Sequence, residues 1–427
     1  MLSKRTLILF ILLIIPLLSF SQSEKKQDNE NKEQKLEKQI KDLKERIKKL
    51  EHYKRDQEIQ VLMEEADDLS REQKKEEDIN FGKRFFTGAR KQSGLNPNLT
   101  LECDMYAVHG RSKDEYNTQP SEFSNGSRNL FLREFELNIN APLDPYTRAK
   151  VFISFEGDEV SIEEGYMTWL NCPLNMNLKA GEFKAQFGKF NRWHDHALPQ
   201  FDKPRVLVNF FGNTSLKGFG VAGNFLLPSL LAQVNELDLE VIRGGVGHSF
   251  QERGDNLIFV SHLKNYYDLS KSTYVEVGFS GALGKSADHG RDYNAETYSS
   301  LVGGADFTLS WLPPGRAKYK GMEWRSEILY SKRETPFEDI DSWGAFTSLQ
   351  YRIDASFLTS VRFDYSQLPW DNNLEEKGIA ATLDFWQSEF VRVRLQYSFI
   401  DRNFADGDSQ IIFQTSWALG PHKHEKY

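Results

Sequence analysis

From residue 98 onward, apolar and polar residues alternate one by one. Val391, Val393, Leu395, Tyr397 and Phe399 alternate with Arg392, Arg394, Gln396 and Ser398. Leu301, Gly303, Ala305, Phe307, Leu309 and Trp311 alternate with Val302, Gly304, Asp306, Thr308 and Ser310. Phe135, Leu137 and Ile139 alternate with Glu134, Glu136, Asn138 and Asn140. Successive side chains of a strand point to opposite faces. Each of these segments is therefore a strand with one greasy face and one polar face. The pattern predicts sixteen strands, centred near residues 103, 135, 152, 166, 180, 220, 240, 262, 278, 304, 328, 348, 361, 381, 395 and 414.

A soluble sandwich also alternates. Three features favour a transmembrane antiparallel β-barrel. The strands run to ten or more residues, the polar face carries Arg, Asp and Glu in mid-strand, and aromatics recur near strand ends. Sixteen is even, as a single-chain bacterial barrel requires; fourteen and eighteen are the alternatives. With residue 98 at the inner rim, the long connections fall mostly outside: 110–129, 185–214, 245–256 and 285–297. The short turns, such as Pro142–Tyr146 and Cys172–Leu174, fall inside. The short 157–160 loop and the long 226–236 and 312–321 turns break that rule.

A different period precedes the barrel. Residues 24–78 are charged, Gln or Asn, apart from a sparse seam. Leu36, Ile40, Leu43, Ile47 and Leu50 recur at spacings of four and three, an a/d heptad pattern. Ile59, Leu62, Ala66 and Leu69 resume it in a shifted register. The pattern predicts an α-helical coiled coil, with a solvated, partly helical linker as the alternative. Before it, Lys4 and Arg5 open an apolar run from Thr6 to Leu18, and Ser19-Phe20-Ser21 offers a cleavage site. The expected organisation is a signal peptide over 1–21, a periplasmic coiled coil over 24–78, a linker over 79–97 and an outer-membrane β-barrel over 98–427.

Composition narrows the reading. The mean hydropathy of -0.57 is too polar for a bundle of membrane helices, although 13% of the residues are aromatic. The net charge of -8 argues against a nucleic-acid partner. Cys103 and Cys172 make no disulfide framework; two unlinked residues are expected, with pairing the alternative. No nucleophile-and-base motif or phosphate-cradling loop stands out, so the chain does not read as an enzyme.

Candidate chemistry lies on the polar face and in one loop. The expected lumen face is mixed in charge. Arg325, Arg352, Arg362, Arg392 and Arg394 oppose Glu134, Glu136, Asp364 and Asp384. The 185–214 connection is the longest, and it follows Lys184. It carries Lys189, Arg192, His194, Asp195, His196, Asp202, Lys203 and Arg205, with Phe201, Phe210 and Phe211 to anchor it. It is expected to fold into the lumen as a constriction with a modest anion preference, an external flap being the alternative. Two imidazoles and a carboxylate at His194-Asp195-His196 suit zinc or a similar ion. Hydrogen bonding within the loop is the plainer use of those residues.

Gly181-Glu182-Phe183-Lys184-Ala185-Gln186-Phe187-Gly188-Lys189 is similar to the glycine, x, Phe, Lys, x, Pro, Phe, Gly pattern of the phosphate-selective porin family, with Gln186 where Pro is usual. His194-Asp195-His196-Ala197-Leu198-Pro199 and Asn209-Phe210-Phe211-Gly212 resemble a porin-like branch often labelled as zinc-regulated outer-membrane receptors. The resemblance implies a homotrimer of sixteen-stranded pores in the outer membrane of a diderm bacterium. It does not carry phosphate specificity, because the basic ladder which that specificity needs has no positional match. The expected function is passive diffusion of small polar or ionic solutes. The alternatives are a receptor for a metal or metal complex, and a structural tether to the cell wall or a secretion conduit that uses the coil.

Overall fold

The structure is a computed structural model, and it describes residues 97–111, 129–157, 159–244, 247–250, 256–287 and 297–420. The expected signal peptide and coiled coil, the linker up to residue 96, and His422 and His424 lie outside the described residues.

The alternating segments form sixteen strands. They are β1 (Asn98–Arg111), β2 (Asn129–Pro142), β3 (Thr147–Glu156), β4 (Glu159–Cys172), β5 (Met176–Lys184), β6 (Lys217–Leu227), β7 (Val234–Arg243) and β8 (Leu257–Ser270), then β9 (Thr273–Ala287), β10 (Thr297–Trp311), β11 (Gly321–Glu334), β12 (Asp339–Arg352), β13 (Phe357–Leu368), β14 (Asp371–Ser388), β15 (Val391–Arg402) and β16 (Asp408–Leu419). Each pairs antiparallel with its sequence neighbours, and β1 closes the barrel on β16, with Leu101 opposite Leu419. Every predicted centre falls inside a strand, so fourteen and eighteen strands are excluded. The three connections that broke the length rule are real. Two residues, 157–158, join β3 to β4, whereas 228–233 and 312–320 join β6 to β7 and β10 to β11.

Closure has a physical reason. Lipid offers no hydrogen bonds to backbone groups, and a closed ladder leaves no edge. The outer face then has to be apolar. Leu395, Tyr397 and Phe399 of β15 are exposed outside, while Arg392, Arg394 and Gln396 are buried inside. Exposed aromatics gather at both rims: Tyr351, Phe357, Phe385 and Phe390 at the inner one, Tyr330, Trp343 and Phe259 towards the outer one. The inner turns are tight. Asp144 Oδ1 accepts from the backbone of Tyr146, and Asp354 Oδ1 accepts from Ser356 and Phe357, each at 2.8 Å. These are side-chain turns of the kind Asp favours.

Both cysteines are free. Cys103 is covered from its two neighbouring strands by Phe135 and Trp417, whose rings meet edge to face at 6.1 Å.

Two β-bulges alter the inner face. In β2 the register with β1 shifts between Asp104 and Met105, which face Glu134 and Leu132. Arg133 is the extra residue. In β4 the register with β3 shifts where Phe152 faces Glu164 and Ile153 faces Ile162, leaving Glu163 extra. A bulge re-aims a side chain. Here each one adds a charge to the lumen beside its strictly alternating neighbour, Glu134 or Glu164.

Candidate functional site: the lumenal segment and its wall

The chain between β5 and β6, residues 185–216, lies inside the barrel. It contains a 3-10 turn at Asp195–Ala197 and one helical element, α1 (Arg205–Phe211). Its entry depends on glycine. Gly181 has φ +140°, and a Cβ there would collide with the Gly165 carbonyl oxygen and with Tyr166. Gly188 has φ +58°, and a Cβ would press on the Glu327 carboxylate. That close approach lets Glu327 Oε1 accept from the backbone N–H groups of Lys189 at 2.7 Å and Phe190 at 2.9 Å.

An apolar cluster fixes the segment to one side of the lumen. Phe187, Phe190, Trp193, Leu207, Phe210 and Phe211 are buried with Val260, Val302, Leu329 and Phe346 of the wall. Those wall residues occupy inward positions that elsewhere are polar. Removing such side chains from water favours docking by roughly 1.5–3 kcal/mol each.

Polar anchors complete the attachment across the lumen. Arg362 Nη2 meets Asp202 Oδ2 at 2.6 Å, and its Nη1 donates to the Asp202 carbonyl. Arg394 donates to the Leu198 carbonyl, and Arg392 to that of His196. Gln200 bridges Ser348 and Ser360, and Gln396 Oε1 accepts from the Phe201 backbone at 2.7 Å. Arg205 pairs with Glu376 at 2.9 Å, and its backbone N–H donates to Asp364. Lys189 pairs with Glu276 at 2.7 Å, and Lys184 with Glu163 at 3.0 Å.

Most of the expected lumen residues therefore serve this segment. Arg362, Asp364, Arg392 and Arg394 hold it by hydrogen bonds, Arg325 lies over the Trp193 ring at 5.2 Å, and Asp384 pairs with Arg394. Arg352 is different: it ends β12 at the opposite rim and is half-buried. The sequence reading also missed residues. Glu102, Arg133, Glu163, Glu164 and Glu376 all meet the segment. The bulged pair left a signal. Outward apolar positions run Leu130, Leu132, then Phe135, and again Val160, Ile162, then Gly165 and Met167, so the alternation slips phase at each bulge.

The histidine run does not form one centre. Asp195 turns to Arg133 Nη2 at 2.7 Å and Lys203 Nζ at 2.8 Å, so its carboxylate is committed to two cations. His194 enters a group of acids instead: Nδ1 lies 2.8 Å from Glu136 and 3.1 Å from Glu163, and Nε2 lies 2.8 Å from Glu164. His196 Nε2 lies 2.6 Å from Glu102, and its Nδ1 is 3.7 Å from Glu134 and 4.0 Å from Glu136. Burial alone would lower the pKa of each imidazole. The surrounding carboxylates outweigh it, and both are held well above the ordinary histidine value. The same competition runs the other way at Asp202. Burial would raise it, but Arg362 holds it below the usual Asp range.

The arrangement narrows the lumen with a charged segment and pairs most of that segment's cations. A water-contacting wall remains at Lys179, Lys264 and Glu236, with Arg192 of the segment half-buried. Lys264 and Glu236 pair at 2.7 Å.

No family model matches the chain. An uncharacterized protein of Aquifex aeolicus (strain VF5) is 24% identical over 386 residues, which cover 78% of this chain and 80% of the relative. The anion-selective porin from Comamonas acidovorans superposes with a TM-score of 0.53 at 8% identity, over 76% of this chain and 100% of that one. The outer membrane channel DcaP of Acinetobacter baumannii gives a TM-score of 0.51 at 11% identity, over 78% and 99%. At such identities the likeness is one of fold, and the fold of this chain is that of the outer-membrane porins.

Proposed function

We propose that the protein is an outer-membrane channel for passive diffusion of small polar or ionic solutes, with residues 185–216 as its constriction. One observation carries this reading: a closed sixteen-stranded barrel, greasy outside and charged inside, holds its longest outer connection in the lumen. A barrel of that size is wide enough for an aqueous path, and a segment folded inside sets its cross-section and local charge.

The proposed selectivity is weak. The basic residues that suggested an anion preference are largely paired: Lys184 with Glu163, Lys189 with Glu276, Lys203 with Asp195 and Arg205 with Glu376. The wall of β1–β4 and β7–β11 is rich in acids, and Lys184 and Lys189 dock on it, whereas Arg205 docks on Glu376 of β14. Strong phosphate selection needs cations that meet the solute, and most here meet carboxylates. By the same reading the assembly is a homotrimer.

The test is planar-bilayer conductance of the purified protein under a salt gradient. The intact protein should conduct in steps that come in threes, with a small reversal potential. Deleting 189–212 should raise the conductance several-fold and shift the reversal potential towards cations, because the acidic wall loses its basic cover. Silence in both forms would sink the channel reading.

A further inference from the structure

We propose that Glu102, Glu136 and His196, together with Glu136, Glu163 and His194, form two adjoining divalent-cation sites of the zinc class, sharing Glu136, which tie the lumenal segment to the β1–β4 wall. The inference does not depend on whether the barrel conducts.

Geometry is the first support. In each group of three, one ligand atom per residue lies within 4.8 Å of the other two. Ligands about 2 Å from a common tetrahedral ion stand roughly 3.3 Å apart, so small side-chain rotations would close each group on one ion. Each group supplies one imidazole and two carboxylates, a nitrogen–oxygen set that suits zinc better than calcium or magnesium. Three protein ligands leave a fourth position for water.

Charge balance is the second support. Glu102, Glu134, Glu136, Glu163 and Glu164 converge on two imidazoles and Lys184. Arg133 and Lys203, close by, are matched by Asp104 and Asp195. Even with both imidazoles protonated, five carboxylates exceed three cations. Arg392, held to the His196 carbonyl, does not close the gap. The Oε1 atoms of Glu134 and Glu136 are buried and accept no hydrogen bond. A buried carboxylate oxygen without a partner is costly. A divalent ion supplies both the missing charge and the missing partner.

The surroundings fit as well. Glu164 Oε1, 2.8 Å from His194 Nε2, is placed to hold that ring while Nδ1 faces Glu136 and Glu163. Such a carboxylate behind a ligating histidine orients it and raises its basicity. Glu163 is 21% exposed at its side chain, which leaves the ion a route from lumenal water. Bound cations would displace protons from the imidazoles and join β1, β2 and β4 to the segment through shared ligands.

The experiment uses the full chain in detergent, stripped with a chelator and titrated with Zn²⁺ alone by calorimetry. Co²⁺ absorption reports the nitrogen–oxygen ligand field independently. One or two ions per chain are expected, with affinity reduced more than about tenfold in Glu136→Gln and in His196→Gln. Zinc should also protect 185–216 from protease in the unmutated chain. Heat-modified gel mobility establishes that each variant is a folded barrel. If Glu136→Gln does not fold, the double variant His194→Gln/His196→Gln, which removes the imidazole of each site, decides. The proposal is overturned by absence of stoichiometric binding. It is also overturned by binding that survives both substitutions or that disappears only when His422 and His424 are replaced.

Discussion

Asp202 shows how single residues hold the lumenal segment. Its carboxylate meets Arg362 Nη2 at 2.6 Å and accepts from Gln396 Nε2 at 2.7 Å. Because its folded pKa is lowered, it contributes stability that is fully present above the unfolded Asp value, about 3.9. That contribution is lost as pH falls below this value through the folded pKa. Acidification below pH about 4 should therefore loosen the segment, seen as faster proteolysis within 185–216. Asp202→Asn should bring the same loosening at neutral pH and lose the acid step. Its cost is on the order of 3 kcal/mol, the usual penalty for breaking one side of a buried pair. An unchanged acid profile in Asp202→Asn would assign the effect to another carboxylate. The partners of Asp202 lie more than 150 residues away, and nothing local in the sequence pointed to them. The alternation did put Arg362, Arg392 and Arg394 on the inner face, because facing is a local property of a strand.

At the scale of elements, the β4–β5 hairpin depends on the missing side chain at Gly181. An added Cβ would meet the Gly165 carbonyl oxygen and Tyr166, at a φ that side chains rarely adopt. Gly181→Ala should cost on the order of 2 kcal/mol or more. Urea titration of the folded barrel in detergent would show this as a lower midpoint, and equal midpoints would mean that the hairpin relaxes freely. The glycines of the 181–189 run were legible in sequence as part of a resemblance. Their physical need appears only once β4, β5 and β11 are in place. The bulges at Arg133 and Glu163 belong to this scale too. A strict period of two puts Arg133 and Glu163 on the lipid side. The phase slip moves them into the lumen, where they meet Asp195 and Lys184.

For the whole molecule, the two faces of the wall have opposite tolerance. Leu395 stands at the middle of β15 and is half exposed on the outer face. Leu395→Arg should cost about 2–4 kcal/mol, the penalty for a basic side chain near the bilayer midplane. Folding into lipid vesicles against urea measures it, and an unaffected variant would show that this face does not meet lipid. The inner face carries charges among many uncharged polar residues, and most of the buried charges have ionic partners. Some pair within the wall, as Arg394 does with Asp384 and Arg402 with Asp408, and others pair with the segment that occupies the lumen, so wall and segment form one electrostatic unit.

By itself the sequence placed the strands, favoured sixteen of them over fourteen or eighteen, and set the face of most residues, the bulged Arg133 and Glu163 excepted. Period two is written residue by residue, and lipid demands the same greasy face of every strand. It also marked 185–214 as the longest outer connection. Only the tertiary structure decided what that segment touches. Which carboxylate meets which cation depends on register around a closed ring, on two bulges and on the path of one segment across it. For that reason His194 and His196, adjacent in a short motif with Asp195, part from it and turn to five glutamates on β1, β2 and β4.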